Sequence, residues 1–262
     1  MAHPWLVKNT ARKKGRNLVI TPRTSDTTYL SVGRVVLDQK LPNITIEPDD
    51  SESAYICLHG AGKVHLDGRD HTLKPYDGFY VPRGMGIDIS AEPDLDLVEM
   101  RAPVDHEYPA VHVPFEQIQN DPSLSPQLGG HSCRRTVHLI LGPNVKTGRL
   151  LAGVTIGDAG NWTSWPPHEH ADIQEEVYLY FDIPAPGYGL QLIYTDPEEI
   201  EFLSPVRSDD ACIMPRGFHP NVAAPGYKMN FVWVLCGYRE QVDREWGRVT
   251  LQQGLKEVEE HK

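Results

Sequence analysis

No apolar run in this chain approaches the roughly 20 residues needed to span a bilayer. The opening stretch, MAHPWLVKNTARKKGR, is basic, but no apolar segment follows it, so it does not read as a secretory signal. A cytoplasmic protein with no membrane partner is therefore expected. Cysteine is scarce: Cys57, Cys133, Cys212 and Cys236 lie far apart, with no Cys-x-x-Cys pair. In a reducing compartment such residues are buried or free thiols and not a disulfide frame. The Asn-x-Thr triplets at Asn43 and Asn161 would matter only in a secreted chain. Positive charge is short as well. Lys and Arg total 25 against 36 Asp and Glu, for a net charge of −11. This argues against a nucleic-acid partner, since phosphate binding needs a basic face. The basic cluster at residues 13–16 is too short to reverse that conclusion.

Turn chemistry, by contrast, is abundant. Among 262 residues there are 22 prolines and 22 glycines, which punctuate short runs such as RVVLDQ, YICLHG, GFYVPRG, RTVHLIL, EVYLYF and NFVWVL. Short apolar strands at regular spacing with turn signals predict an all-β sandwich or barrel. The length accommodates two modest domains or one large one. The stretch 104–135, rich in Pro, Gly, Ser and His, reads as a connector with one short helix at PFEQIQND. The tail after Asp243, REWGRVTLQQGLKEVEEHK, mixes charge with spaced apolar residues and predicts a terminal helix frayed near His261.

An internal repeat organises the rest. Asp77-Gly-Phe-Tyr-Val-Pro-Arg-Gly84 matches Asp210-Ala-Cys-Ile-Met-Pro-Arg-Gly217 at a shift of 133 positions. Upstream, Glu52-Ser-Ala-Tyr-Ile-Cys-Leu matches Glu175-Glu-Val-Tyr-Leu-Tyr-Phe at a shift near 123, and a longer loop, DIPAPGYG, accounts for the difference. Two copies of one unit are too few for a solenoid and predict two similar domains, at 1–135 (connector included) and 136–262.

The second copy carries the chemistry. It contains Trp165-Pro-Pro-His168-Glu-His170, then Glu175-Glu176-Val-Tyr178, then Pro215-Arg-Gly-Phe-His219-Pro. His-x-His on a strand puts both imidazoles on one face, because side chains alternate with period two. Both can then reach one ion at about 2.0–2.1 Å. A glutamate on the next strand and His219 at a turn complete a set of three imidazoles and one carboxylate. Such a set leaves positions open on a first-row divalent metal: zinc or manganese first, with iron compatible. Glu175 has the commoner spacing from His-x-His. Glu176 shares a face with Tyr178 and Tyr180 and is the preferred ligand. In the first copy the aligned positions are Thr45, Glu47 and Gly86, so that half is expected to be a metal-free scaffold. His59, His65 and His71 share no face and read as surface residues.

These residues resemble a known family. The His-x-His strand followed by a Pro-x-Gly-x-His turn resembles the cupin superfamily of small β-barrels. Within it, Gly160-Asn-Trp-x-Ser-x-Pro-Pro-His-x-His, Glu-Glu-Val-Tyr, Leu-Gln-x-x-Tyr-Thr (Leu190 to Thr195) and Pro-Arg-Gly-Phe-His-Pro-x-x-Ala-Ala-Pro-Gly-Tyr (Pro215 to Tyr227) resemble the 5-deoxy-glucuronate isomerase / 5-keto-4-deoxyuronate isomerase family. The likeness covers most of the second half strongly and the first half through its turns. The short Ala-Asp-Ile-Gln between His170 and Glu175 is closer to the pectin-pathway relatives than to those of inositol catabolism. The resemblance implies an all-β bicupin, two tandem jelly-roll barrels with short helices. It also implies a metal-dependent aldose–ketose isomerase of a small deoxy-uronate, first of all 5-deoxy-D-glucuronate to 2-deoxy-5-keto-D-gluconate in myo-inositol catabolism.

For that reaction Tyr178 and Glu175 are the candidate catalytic groups, being nearest the ligands in sequence. The substrate carboxylate needs a cation, and Arg216 beside the ligand turn and Lys228 on the last strand are the candidates. Arg83 repeats Arg216 in the half without imidazoles, which favours a role for both in tying down the turn. Gln191 and Trp233 are expected to line the pocket. The wider pattern leaves open 5-keto-4-deoxyuronate isomerisation in pectin breakdown, an Fe(II) dioxygenase, or a sugar-binding cupin without turnover. Apolar strands in both halves predict barrel-to-barrel packing, within the chain or in a homo-oligomer.

Overall fold

Strict alternation of side chains decides how the long strands pack. The computed structural model describes residues 3–256. Its first half holds β1 (Leu6–Val7), β2 (Gly15–Ile20), β3 (Ser31–Leu37), β4 (Asn43–Ile46), β5 (Ser51–Leu66), β6 (Arg69–Leu73), β7 (Gly78–Val81), β8 (Ile87–Pro103) and β9 (Val111–Val113). After the helix α1 (Phe115–Gln119) come β10 (Gln127–Leu128), β11 (Arg135–Leu141), β12 (Leu150–Gly157), β13 (His168–Glu169), β14 (Gln174–Phe181) and β15 (Gly189–Ile193). The chain continues through β16 (Phe202–Val206), β17 (Ala211–Met214), β18 (Asn221–Ala223), β19 (Asn230–Gly237) and β20 (Thr250–Leu251).

On β5, Tyr55 and Cys57 point into one apolar cluster with Val35, Leu37, Phe79 and Leu97. Their neighbours Ala54, Ile56 and Leu58 point the other way, into a larger cluster shared with Leu139, Val177, Leu179 and Val234 of the second half. Strands buried on both faces read as near-continuous hydrophobic runs, as YICLHG and NFVWVL do. The first half is thus one sheet, ordered β2-β3-β8-β5-β7-β9, with β4 on β8 and β6 on β5. The second half pairs its long strands as β1-β17-β14-β19-β12-β11-β10, with smaller sheets β16-β15-β18 and β13-β20. The nearly all-β architecture agrees with the sequence reading, and α1 falls within PFEQIQND.

Two features depart from expectation. The N-terminal strand β1 pairs with β17, so the first residues belong to the sheet of the second half and not to the first. The tail after Asp243 is not a helix within the described residues. Gly247 and Gly254 take φ of +82° and +83°, and Thr250–Leu251 forms β20 against His168–Glu169. Left-handed glycines and a β-branched pair, Val249-Thr250, oppose a helix more strongly than the spaced apolar residues favour one. The expected fraying near His261 lies outside the described residues.

The halves are locked by a reciprocal pair. Glu52 on β5, fully buried, accepts the backbone N–H groups of Gly148, Arg149 and Leu150 at 2.6, 2.7 and 2.9 Å and the Tyr80 hydroxyl at 2.8 Å. Its repeat partner Glu175 on β14 accepts those of Thr28, Tyr29 and Leu30, the last two at 3.1 and 2.8 Å. Each glutamate reaches out of its own half to the segment that opens the equivalent strand, β12 or β3, of the other. Charge-assisted bonds of this kind contribute about 1.5–3 kcal/mol each.

Candidate metal centre

Three elements converge beside one cavity. His168 ends the Trp-Pro-Pro segment on β13, His170 follows it, and Glu176 lies on β14. His219 follows a turn in which Gly217 takes φ +76°; a Cβ there would sit 2.5 Å from the Tyr194 carbonyl, so the turn requires glycine. The ring centroids of His168 and His219 lie 4.7 Å apart, and those of His170 and His219 lie 5.2 Å apart. One nitrogen from each of the three rings lies within 4.8 Å of the others, and this is the one such cluster among the described residues. Oε2 of Glu176 stands 3.0 Å from Nε2 of His170 and 3.0 Å from Nε2 of His219.

Backbone carbonyls orient two of the rings. Nδ1 of His168 is 3.0 Å from the Pro166 oxygen, and Nδ1 of His219 is 2.9 Å from the Gly217 oxygen. Each Nδ1 therefore carries the hydrogen and each Nε2 an available lone pair, the usual arrangement behind a metal-bound imidazole. His219 Nε2 makes no hydrogen bond, although a carboxylate oxygen lies 3.0 Å away. Two buried lone pairs facing each other at that distance repel unless a positive charge, a proton or a metal ion, lies between them. The donor set fits a divalent ion on that ground.

The electrostatics agree. Burial, with His219 and His170 nearby, pulls the His168 pKa down to about 3, so this ring stays neutral and able to ligate. Burial also opposes charge on His170, but Glu176 outweighs it and raises its pKa. Burial would lift Glu176; His170 and His219 overcome that and hold it well below the usual carboxylate range. Glu176 is thus a carboxylate at neutral pH. Burial, and then the Glu176 charge, push the Tyr178 hydroxyl far above 10, so it stays protonated. It lies 3.3 Å from Ser164 Oγ, with its ring stacked on Phe231 at 4.2 Å.

The cavity measures about 210 Å³. That is below the roughly 300–1,000 Å³ of drug-sized sites and suits a small molecule over a polymer. Its walls include His168, His170, Glu176, Tyr178 and Trp233, with Trp233 stacked on Trp246 of the tail at 4.6 Å. The tail is strapped across this region. Gln174 Nε2 donates to the Asp243 carbonyl at 2.7 Å, and Tyr194 donates to Gln252 at 2.6 Å.

Several expected residues lie elsewhere. Glu175 points away from the imidazoles, committed to the Thr28–Leu30 backbone, and cannot serve as the catalytic base. Alternation along β14 forces this: if Glu176 faces the cavity, Glu175 cannot. Arg216 is exposed, bonded to Glu201 at 2.5 Å and lying 5.1 Å from the Trp5 ring, so it anchors its turn and does not line the cavity. Arg83 does the same in the first half, donating to the Val104 carbonyl at 2.6 Å. Lys228 is exposed and outside the lining. Gln191 is buried behind the imidazoles: it accepts from Tyr180 and donates to the His219 carbonyl at 3.0 Å, supporting the turn without reaching the cavity. Sequence reasoning missed Arg135, which opens β11 and lines the cavity together with Val137. The period-two spacing of that pair was the available signal.

Comparison with known proteins adds the following. The KduI/IolB family profile matches residues 5–252. Curated relatives include the 5-deoxy-glucuronate isomerase of Geobacillus thermodenitrificans (strain NG80-2), 27% identical, with 89% of this chain and 92% of the relative covered. That of Bacillus subtilis (strain 168) is 26% identical, with 83% and 85% covered. Among solved structures, an IolB-like protein from Salmonella typhimurium LT2 superposes with a TM-score of 0.84 at 24% identity, covering 95% of this chain and 96% of that one. Bacillus subtilis oxalate decarboxylase, in a study of its Mn(II) centers, gives a TM-score of 0.62 at 11% identity, with 88% and 76% covered. These two likenesses speak for the cupin fold.

Proposed function

Because the chain belongs to the KduI/IolB family, we propose that it is a cytoplasmic, metal-dependent isomerase converting 5-deoxy-D-glucuronate to 2-deoxy-5-keto-D-gluconate. The observation that carries this reading is the meeting of His168, His170, His219 and Glu176, three of which line one small cavity, in a chain with such relatives. We read the chain as two tandem units, 1–135 and 136–262, the second active and the first its support.

The reaction takes a proton from C2 of the aldose and returns one to C1, while the hydroxyl proton passes from O2 to O1. His168, His170, His219 and Glu176 would hold the ion, and their nitrogen and oxygen donors suit zinc, manganese or iron. A bound divalent ion supplies Lewis acidity to a carbonyl and its neighbouring hydroxyl. Tyr178, protonated and buried beside the ligands, donates a hydrogen bond to the oxygen on which negative charge grows. The Trp233 indole N–H is buried in the cavity wall without an acceptor among the described residues, and it offers a donor to a substrate hydroxyl. The Trp233–Trp246 stack and the strapped tail exclude water from the reacting carbons.

Purified protein should carry a divalent metal by mass spectrometry and convert 5-deoxy-glucuronate as followed by NMR. Metal bound with that sugar untouched would overturn the substrate assignment, and 5-keto-4-deoxyuronate would be the next sugar tried.

A further inference from the structure

The isomerisation needs a carrier for one more proton, the one that leaves O2 and arrives at O1. Those oxygens sit on adjacent carbons, so the carrier must lie beside the ligands and both give and take a proton. A hydroxyl does this without changing its charge. Among the described lining residues the hydroxyls belong to Thr155, Thr163, Ser164 and Tyr178. Thr163 is committed to Asn221 Oδ1 at 2.5 Å, and Thr155 lies on β12, which β19 separates from the strand of Tyr178. Ser164 and Tyr178 remain, with their oxygens 3.3 Å apart. We infer that Ser164 is a further catalytic residue, which with Tyr178 forms a two-hydroxyl relay carrying the proton from O2 to O1. This rests on the isomerase reading above.

The transfer balances on its own. O2 gives its proton to Ser164 Oγ, Ser164 gives its own to the Tyr178 oxygen, and Tyr178 gives its own to O1. Each hydroxyl loses one proton and gains one, so neither ionises, no electron moves and no co-reactant is consumed. The geometry suits this path. Either oxygen of the pair can be the donor, and both residues are buried in the cavity wall. The Tyr178 ring stands edge-on to His219 at 5.9 Å, which places the pair beside the ion position. Ser164 is held from behind: its backbone N–H donates to Asn221 Oδ1 at 3.0 Å, and Asn221 Nδ2 donates to Gln191 Oε1 at 3.1 Å. Gln191 also donates to the His219 carbonyl, so one pair of amides fixes both Ser164 and the turn that presents His219. A contact of 3.3 Å is long for two hydroxyls, and catalytic hydrogen bonds commonly tighten when substrate binds.

Ser164→Ala removes one hydroxyl and no ligand, so mass spectrometry should find its metal content unchanged. Its kcat for 5-deoxy-glucuronate should fall roughly 10- to 100-fold, with KM little changed. The transfer between oxygens then limits turnover. The ratio of rates in H2O and D2O should therefore grow, and any effect of deuterium at C2 of the substrate should shrink. A displacement of the whole site would lower kcat without moving these ratios. Ser164→Thr, which keeps a hydroxyl, should restore part of kcat. The inference is overturned if metal-loaded Ser164→Ala keeps kcat within about 2-fold of wild type. It is also overturned if kcat falls with the D2O ratio unchanged, or if Ser164→Thr is no better than Ser164→Ala. In each of these cases turnover by the wild type leaves the isomerase reading standing. A sugar untouched by the metal-loaded wild type removes that reading and the relay with it.

Discussion

Tyr55 in the first half and Tyr178 in the second occupy the same place in the repeat, yet their surroundings differ. Tyr55 lies opposite Phe79 and Glu99 in the ladder, and Tyr178 opposite Cys212 and Trp233. In the first half the tyrosine stacks on Phe79 at 4.6 Å and donates to Glu99 at 3.1 Å. Arg16 meets the same carboxylate with two N–H groups, at 2.9 and 2.7 Å. In the second half, Glu176 stands where the first has Ser53, beside three imidazoles and a cavity. The first half thus pairs its buried Glu99 with its own Arg16, whereas the second leaves Glu176 facing imidazoles and a cavity. What the halves do share is architectural. Gly84 and Gly217 both take left-handed φ, and Asp77 and Asp210 each accept the N–H three residues before them. Glu52 and Glu175 clamp opposite halves. Tyr178 apart, the positions common to both copies hold the frame, and the imidazoles and Glu176 stand at positions that differ.

The sharpest way to break this comparison is at a ligand. His219→Ala should lose bound metal and reduce turnover to background, while Thr45→Ala and Glu47→Ala at the aligned first-half positions should leave both unchanged; metal analysis and NMR decide. Next come the paired clamps. Glu52→Ala and Glu175→Ala should each destabilise the protein by at least ~3 kcal/mol in urea unfolding, since each strands three backbone donors. Glu175→Gln, if folded and loaded, should retain kcat within a few-fold; a collapse of kcat there would restore Glu175 as a catalytic group. Acid should act on the second half through its ligands. A proton on His170 would compete with a bound metal, and Glu176 raises that pKa above its ordinary 6.5, so metal affinity should fall as pH drops through that raised pKa. Retention after dialysis at pH 5.5 and at pH 8 measures this, and equal retention would contradict it. The smallest effect is expected at the turn arginines: Arg83→Ala and Arg216→Ala should each cost no more than ~1 kcal/mol and leave KM alone.

The repeat explains why some of this was legible from the residues and some was not. His168, His170, Glu176 and His219 were readable because alternation on a strand and a glycine turn are local rules. Arg216, which Arg83 repeats, lies outside the cavity and is bonded to Glu201. The same logic applied to Glu175, which Glu52 repeats, would have removed it from the catalytic candidates; proximity in sequence was the wrong guide on a strand whose faces alternate. Arg135 was missed because a lone arginine opening a strand has no motif, and only the closure of β11 beside the ligands gives it meaning. The tail misled because its apolar residues are spaced as on a helix, while Trp246 and Leu251 are placed by packing over the cavity. The exchange of β1 into the second sheet depends on long-range pairing that no local pattern encodes.

The most direct test is an NMR time course of 5-deoxy-glucuronate with the metal-loaded protein and with the same protein stripped by chelation. Conversion to 2-deoxy-5-keto-gluconate by the loaded form, absent from the stripped form and restored on reloading, is the predicted result. An untouched sugar with metal bound, or equal conversion after complete stripping, would contradict a metal-dependent isomerase centred on His168, His170, Glu176 and His219.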